Sequence, residues 1–598
     1  MKVSWWLPEF PPDMGGIASF AEILGPALTE RGHQLDFLVT VGGPERSQFG
    51  NIPIHRVPIR ESLDRGAAVE MLQHRRVVAD HKRATAAGLY HVHLCEPSPV
   101  LHLSTANVAP APLVLTLHNE MFQTLGSGTH DTLLGRLSEA AAVITAVSVG
   151  SADDFQAGRP DLADRVVVVP NGIAIGPPPI AVPTDPTLLV IGRLVAQKGF
   201  DRLFRALPQV RATVPSVSVA VAGEGPERSR LQQLAIDLGC GDIVQFVGHV
   251  EHSAVASLID AARVVAMPSR HEGMPFVALE AGDRGRAVVG AAIGGIDEVV
   301  VHDATGLLVP PEGLDDDPAP LAEALVRALT EPGLAERLGT AARTRIEGLF
   351  SAEACADTYD VVYRIAAQGA RPRVSVIIPA WNAEAFIGEA LASVRAQTFT
   401  DLEIIVVDDG STDNTVDAAR VAGGTDLVVL RQPHRGIAAS RNAGLAISRG
   451  DVIAHLDADD LWPADRLQQL LHALDLEPRL DAVFGQAVQF ADPDAPATAA
   501  VITGPTPVRL PTSGVVTRSA QRRGGPFTNT PAGDQLCWAG RALHNDLRYR
   551  QIDDVVLRRR IHSSNNSHRF SFLGDTSRVD LLRDLLRQRR ERGGDVPG

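Results

Sequence analysis

The sequence predicts an α/β protein built on parallel sheets: two doubly wound domains in one unit, then a single α/β domain. Three observations predict it. Short apolar runs alternate with amphipathic helical patterns over most of the 598 residues, the rhythm of strands covered on both faces by crossover helices. The rhythm pauses at Val169-Pro-Asn-Gly-Ile173 and the Pro-rich Pro177–Pro186, then restarts at Leu188-Leu-Val-Ile-Gly192. It breaks again at Ala367–Arg373 and reopens at Val374-Ser-Val-Ile-Ile-Pro379 with different motifs, so the second unit is not a copy of the first.

Taken in order, Lys2-Val-Ser-Trp-Trp-Leu opens as a strand and is closed by Pro8, Pro11 and Pro12. Strand-like runs follow at Gln34–Thr40, Tyr90–Leu94, Leu113–Leu117, Val143–Val147 and Val166–Val169. After the pause come Thr187–Ile191, Val217–Ala222, Ile243–Val247 and Val264–Met267. A helix is expected at about 352–366, and later strands at Leu402–Val407, Leu427–Leu430 and Val452–Leu456. Asp492–Gly514, rich in Pro, Ala and Thr, is expected to be a loop. The expected division is 1–170, 171–366, a linker 367–373, 374–570, and an amphipathic helix and tail at 571–598.

Composition narrows the function. At 45% hydrophobic and 21% charged the chain is ordinary globular protein. A net charge of -15 argues against a nucleic-acid partner, which favours a basic surface. Cys95, Cys240, Cys355 and Cys537 are scattered without a CxxC pair, which disfavours a zinc module or disulfide scaffold and fits a reducing compartment. No run approaches the roughly 20 apolar residues needed to span a bilayer, and no signal-peptide pattern is present. A cytoplasmic protein is expected. The basic amphipathic stretches Leu72–Arg83 and Val579–Arg590 are compatible with peripheral contact on the inner face of a membrane.

Four features of the first unit carry chemistry. Gly15-Gly16 lies between the first strand and a helix, where backbone N–H groups can approach a phosphate. No GxGxxG fingerprint is present, which disfavours a nicotinamide enzyme. Arg193 and Lys198, at the mouth of a strand, can clamp a diphosphate. Only three lysines occur (Lys2, Lys82, Lys198), which gives the placement of Lys198 more weight. His271-Glu272-Gly273-Met-Pro-Phe-Val-Ala-Leu-Glu280 sets two acids on either side of a Gly/Pro turn. Gly294-Gly295-Ile-Asp-Glu298 follows at a further turn. Together these motifs resemble the family 4 glycosyltransferases, with a two-Rossmann GT-B fold. The resemblance covers about residues 1–366. It implies that Gly15, Gly16, Arg193, Lys198 and Gly273 bind the donor, that Glu280 holds its ribose and that Glu272 contacts its sugar. His118, in Thr116-Leu-His-Asn119, matches the active-site histidine position. His91 and His93 read as structural. The resemblance further implies retention of configuration, with fixed cations and amides stabilising the leaving diphosphate and no metal in this unit.

The second unit carries another ordered set: Val376-Ile-Ile-Pro379-Ala-Trp-Asn382-Ala-Glu384, then Asp408-Asp409-Gly410-Ser-Thr-Asp413, then Gly436-Ile-Ala-Ala-Ser-Arg441-Asn442, then Asp457-Ala-Asp459-Asp460. Carboxylates two apart at a strand end can reach a hard divalent ion and the diphosphate it bridges. This set resembles the family 2 glycosyltransferases, with a GT-A fold, over about residues 372–570. It implies that Pro379, Glu384, Asp408 and Asp409 hold the nucleotide. Asp457 and Asp459 would hold Mg²⁺ or Mn²⁺ and the diphosphate, with His562 also at the metal. The family's base sits in a Glu-Asp pair; here the pair is Gly533-Asp534, and Asp534 is the expected general base for an inverting transfer. The expected partners are UDP- or GDP-sugar donors and an oligosaccharide or lipid-linked acceptor of a cell-surface polymer. The competing expectation, motivated by Gly533, is one active unit with the other, the second more than the first, a non-catalytic sugar-binding or docking module.

Overall fold

The computed structural model describes residues 1–11, 15–42, 48–94, 98–118, 132–367, 371–424, 427–492, 495, 504–530 and 533–563. The chain forms two compact units. Met1–Leu162 with Val166–Ala367 makes up one, and the chain after Ala367 the body of the other. The expected C-terminal amphipathic helix at Val579–Arg590 lies outside the described residues.

The first unit holds two sheets. One has eight strands: β1 (Lys2–Leu7), β2 (Gln34–Val39), β3 (Gln48–Phe49), β4 (Ile52–Arg56), β5 (Leu89–His93), β6 (Leu113–Leu117), β7 (Val143–Ala146) and β8 (Val166–Val168). Their order is β3-β4-β2-β1-β5-β6-β7-β8, parallel except where β3 meets β4. The other has six parallel strands: β9 (Thr187–Ile191), β10 (Ser218–Ala222), β11 (Val244–Gly248), β12 (Val264–Met267), β13 (Ala287–Ala291) and β14 (Gly306–Val309), ordered β11-β10-β9-β12-β13-β14. In both sheets the strand order reverses beside the first strand, the switch point where open α/β sheets place ligands.

The strands form where the sequence is apolar on both faces. All five residues of β5, β6 and β13 are buried, so crossover helices cover both sides. Leu203, Phe204, Leu207 and Val210 of the helix Phe200–Thr213 pack with Val219 and Val289 on one face of the second sheet. The helix Ala352–Ala367 returns to the first sheet. Its Tyr363 hydroxyl accepts a hydrogen bond from Trp5 Nε1 at 2.9 Å and lies 2.7 Å from His91 Nδ1.

The second unit is one sheet: β15 (Val374–Ala380), β16 (Leu402–Asp408), β17 (Val428–Arg431), β18 (Val452–His455), β19 (Ala482–Ala491), β20 (Thr506–Pro507), β21 (Gly514–Thr517) and β22 (Tyr549–Ile561). β17-β16-β15-β18 are parallel; β21 joins β18 antiparallel and carries the sheet on to β19, against which β22 lies parallel. The Pro-rich stretch expected to be a loop supplies β20 among its described residues. Among the described residues no helix is long and apolar enough to cross a membrane.

Candidate active sites

In the first unit the loop after β9 is shaped by Gly199. Its φ of +62° is left-handed, and a Cβ there would lie 2.2 Å from the Pro268 carbonyl oxygen. That close approach brings the neighbouring Lys198 to the loop after β12. Lys198 Nζ lies 2.7 and 2.8 Å from the two carboxylate oxygens of Glu272, and Ser269 Oγ donates to Glu272 Oε1 at 2.7 Å. Glu272 is buried, with an exposure of 7%. A lysine ammonium has three N–H groups; Glu272 engages two, which leaves one on a partly exposed head. Arg193 is exposed beside the same loop.

Glu280 lies on the next helix, Phe276–Asp283, and lines a cavity of about 230 Å³ with Ile173, Gly176, His252 and Arg284. Burial raises the Glu280 pKa, and His252, whose Nδ1 is 3.6 Å away, pulls it back. Gly273 sits at the turn before this helix, where a Cβ on Gly295 would be 2.0 Å from its carbonyl oxygen.

His118 follows β6. Its Nε2 is 2.8 Å from His93 Nδ1, and Phe20 packs edge-on at 5.2 Å. Burial lowers the His118 pKa to about 3, so the imidazole is neutral near pH 7. His93, expected to be structural, is in hydrogen-bond contact with His118 and stacks on its ring. Gly15 and Gly16 stand at the N-terminus of the helix Gly16–Glu30, where Glu9 Oε1 accepts from Ile17 N at 3.1 Å and Ala18 N at 3.4 Å. The amides expected to meet a donor phosphate are held by a carboxylate of the chain itself.

The first unit also corrects an expectation. It was expected to have no place for a metal, yet Asp36, His55 and His81 bring ligand atoms within 4.8 Å of one another. Two strands and a helix assemble them, with no short motif spacing to reveal the group. Lys82, on the same basic helix Ala68–Thr85, is buried rather than on the surface. Its ammonium donates to two backbone carbonyls and lies over Trp6 and Tyr90, and burial lowers its pKa to about 8.

In the second unit the loops after β15 and β16 are stitched together. Glu384 accepts from Asn414 N at 3.2 Å and Asn414 Nδ2 at 3.0 Å, and Asn382 Oδ1 accepts from Thr412 N at 2.8 Å. Pro379 is buried within β15. Asp408 is fully buried; burial raises its pKa, while Ser411 and the Arg431 guanidinium, 3.2 Å away, pull it back. Asp409 accepts from Gln432 Nε2 and from the amides of Arg435 and Gly436, which pins the loop that starts the helix Ile437–Ile447.

Arg441, on that helix and fully buried, joins the centre of the site. One arm donates to Asp457 Oδ1 at 2.5 Å and the other to Asp534 Oδ2. Burial raises the Asp457 pKa; Arg441 pulls it back, and Asp459 and Asp534 raise it again. Asp459 Oδ2 lies 3.1 Å from His562 Nε2. Asp534 is the first residue of the helix Asp534–His544, and Gly533 before it has φ +92°. That backbone suits glycine and would strain the glutamate of the family's pair. Sequence reasoning left Ser269, His93 and Arg441 without roles. Arg441 lay inside a quoted motif, but only the fold shows that both its carboxylate partners converge on it.

Comparison with known proteins identifies the family of each unit. Residues 14–176 match the family Glycosyltransferase Family 4, residues 178–345 match Glycosyl transferases group 1, and residues 375–511 match Glycosyl transferase family 2. The chain belongs to the glycosyltransferases, as a group 1, GT-B-like unit fused to a family 2, GT-A domain. This glycosyltransferase is 27% identical over 421 residues to "Glycogen synthase" of Mycobacterium tuberculosis, covering 63% of this chain and 98% of that protein. It is 28% identical to the "GDP-mannose-dependent alpha-(1-6)-phosphatidylinositol monomannoside mannosyltransferase" of the same organism, covering 56% and 91%. Sucrose-phosphate synthase from Thermosynechococcus elongatus shares the fold over 61% of this chain and 98% of its own, with TM-score 0.52 and 23% identity. Anabaena Alr3699/HepE in complex with UDP and glucose does so over 61% and 99%, with TM-score 0.51 and 20% identity.

Proposed function

We propose that this glycosyltransferase adds two sugars from nucleotide-sugar donors to one growing glycan or lipid-linked saccharide. The observation that carries the reading is that each unit gathers charged groups at the carboxyl ends of its own parallel strands: Lys198 with Glu272 in the first, Arg441 with Asp457 and Asp534 in the second. In the first unit Arg193 and Lys198 meet the leaving diphosphate, Glu280 takes the ribose, and neutral His118 lies by the sugar. Stabilising the departing charge is the main catalytic task, and transfer proceeds with retention. Relatives named for GDP-mannose and a fold neighbour solved with UDP support a nucleoside diphosphate donor. The acceptor belongs to cell-surface polysaccharide synthesis, reached from the cytoplasmic side.

In the second unit Asp459 and His562 face one another and would hold a divalent ion with Asp457. Such an ion neutralises a leaving diphosphate. Asp534 deprotonates the acceptor hydroxyl, and transfer proceeds with inversion. A second reading has its own observation. Arg441 occupies one oxygen of Asp534 and one of Asp457, which opposes both proton uptake and metal ligation and suits a non-catalytic sugar-binding module.

Mass spectrometry of products from the full chain, given pooled nucleotide sugars and saccharide acceptors, tests the reading. Two successive additions are expected, one lost in Asp534→Asn with the fold intact by circular dichroism. A single addition that Asp534→Asn leaves unchanged would favour the binding module.

A further inference from the structure

A separate cluster of ligand-bearing side chains lies against the first sheet of the first unit. Asp36 is the third residue of β2 and is buried. β4 pairs with β2 in the register Leu38↔His55, which puts His55 diagonally beside Asp36 on the same face. The helix Ala68–Thr85 packs there, with Val78 in one core with Leu38, and supplies His81. His81 Nε2 lies 2.7 Å from Asp36 Oδ1, and His55 Nε2 lies 3.2 Å from Asp36 Oδ2.

The plain reading is a carboxylate flanked by two imidazole N–H donors. Two features go beyond it. Asp36 Oδ1 is a buried oxygen with no aligned hydrogen bond, although His81 Nε2 is close. The spacing also fits an ion. Ligands at about 2.0–2.1 Å from a tetrahedral zinc stand roughly 3.3 Å apart. Asp36 Oδ2 and His55 Nε2 stand 3.2 Å apart, close to that spacing, whereas Asp36 Oδ1 and His81 Nε2, at 2.7 Å, are nearer, so an ion would spread that pair. One ligand atom from each of the three residues lies within 4.8 Å of the others. Two imidazoles and one carboxylate suit zinc and its neighbours, whereas Mg²⁺ and Ca²⁺ take oxygen ligands. His55 is half exposed, which gives an ion its entry path.

We propose that Asp36, His55 and His81 hold a zinc-class divalent ion that ties β2, β4 and the helix Ala68–Thr85 together, with side chains assigned to neither donor site. The full chain is stripped with a chelator and titrated with Zn²⁺ against a chromophoric competitor, and separately with Co²⁺, whose visible d–d bands report tetrahedral nitrogen and oxygen ligation. Asp459→Ala serves as the background so that the second unit does not contribute. The expected result is one Zn²⁺ per chain, tetrahedral Co²⁺ bands and a raised thermal midpoint on loading. In His55→Ala, affinity falls at least tenfold and the Co²⁺ bands vanish, while unfolding stays cooperative; His55 is half exposed and tolerates truncation. Absence of bound Zn²⁺, or the same stoichiometry, affinity and Co²⁺ spectrum in His55→Ala and His81→Ala, overturns the proposal and leaves a hydrogen-bonded Asp–His cluster.

Discussion

Lys198 and Glu272 lock the first site by a bidentate contact across two loops. On the proposed function, removing the ammonium takes away a cation that stabilises the leaving diphosphate, and it leaves the buried Glu272 carboxylate uncompensated. Lys198→Ala is therefore expected to lower kcat/KM of the first transfer by about 10²-fold or more, measured with donor and acceptor both varied. Arg441 is the counterpart in the second unit. With both arms on carboxylates and no solvent exposure, Arg441→Ala should cost about 3–5 kcal/mol of stability, read by denaturant unfolding. His118 gives a pH signature. Its pKa is about 3 when folded against 6.5 when free, because burial disfavours the imidazolium. The folded state then binds fewer protons between those values. This contribution is whole above pH 6.5 and is lost as pH falls from 6.5 towards 3. Thermal midpoints across that range should drop, with a shallower drop in His118→Asn. At this scale the sequence marked Lys198, Glu272 and Asp534 through local motifs. It could not mark His93 or Ser269, whose partners are set by the fold.

At the level of elements, the strands legible in the sequence were short apolar runs, most of them buried, although β11, expected at Ile243–Val247, has exposed residues at alternate positions. Leu113–Leu117, Thr187–Ile191 and Val264–Met267 occur as expected because continuous apolar runs leave little choice of register. β13 was also missed, though all five of its residues are buried, because Gly290 interrupts its short apolar run. β4 and β22 were missed because they show no continuous apolar run. β4 alternates buried and exposed residues over only five positions. β22 carries Arg558-Arg559-Arg560 inside a strand of 13 residues, and its charge masks the pattern. The loop of Gly199 shows how an element places chemistry. Gly199→Ala must accept φ +62° and a 2.2 Å approach to the Pro268 carbonyl. It should lower the thermal midpoint and the first transfer together, since the loop that moves carries Lys198. Differential scanning calorimetry alongside donor turnover checks both.

For the whole molecule, the division into a two-sheet unit and a one-sheet unit was legible because the βαβ rhythm stops and restarts with new motifs. The metal-capable cluster was not, since Asp36, His55 and His81 meet only when β2, β4 and a helix pack. Joining two transferases in one chain raises the concentration of the second site around the product of the first. That advantage exists only if both sites turn over, which is the central claim. The direct measurement is the mass of the products formed by the full chain with pooled nucleotide sugars and saccharide acceptors, comparing the unaltered chain with Asp459→Ala. Two sugar increments with the unaltered chain and one with Asp459→Ala are predicted. The same two increments from Asp459→Ala would contradict the account.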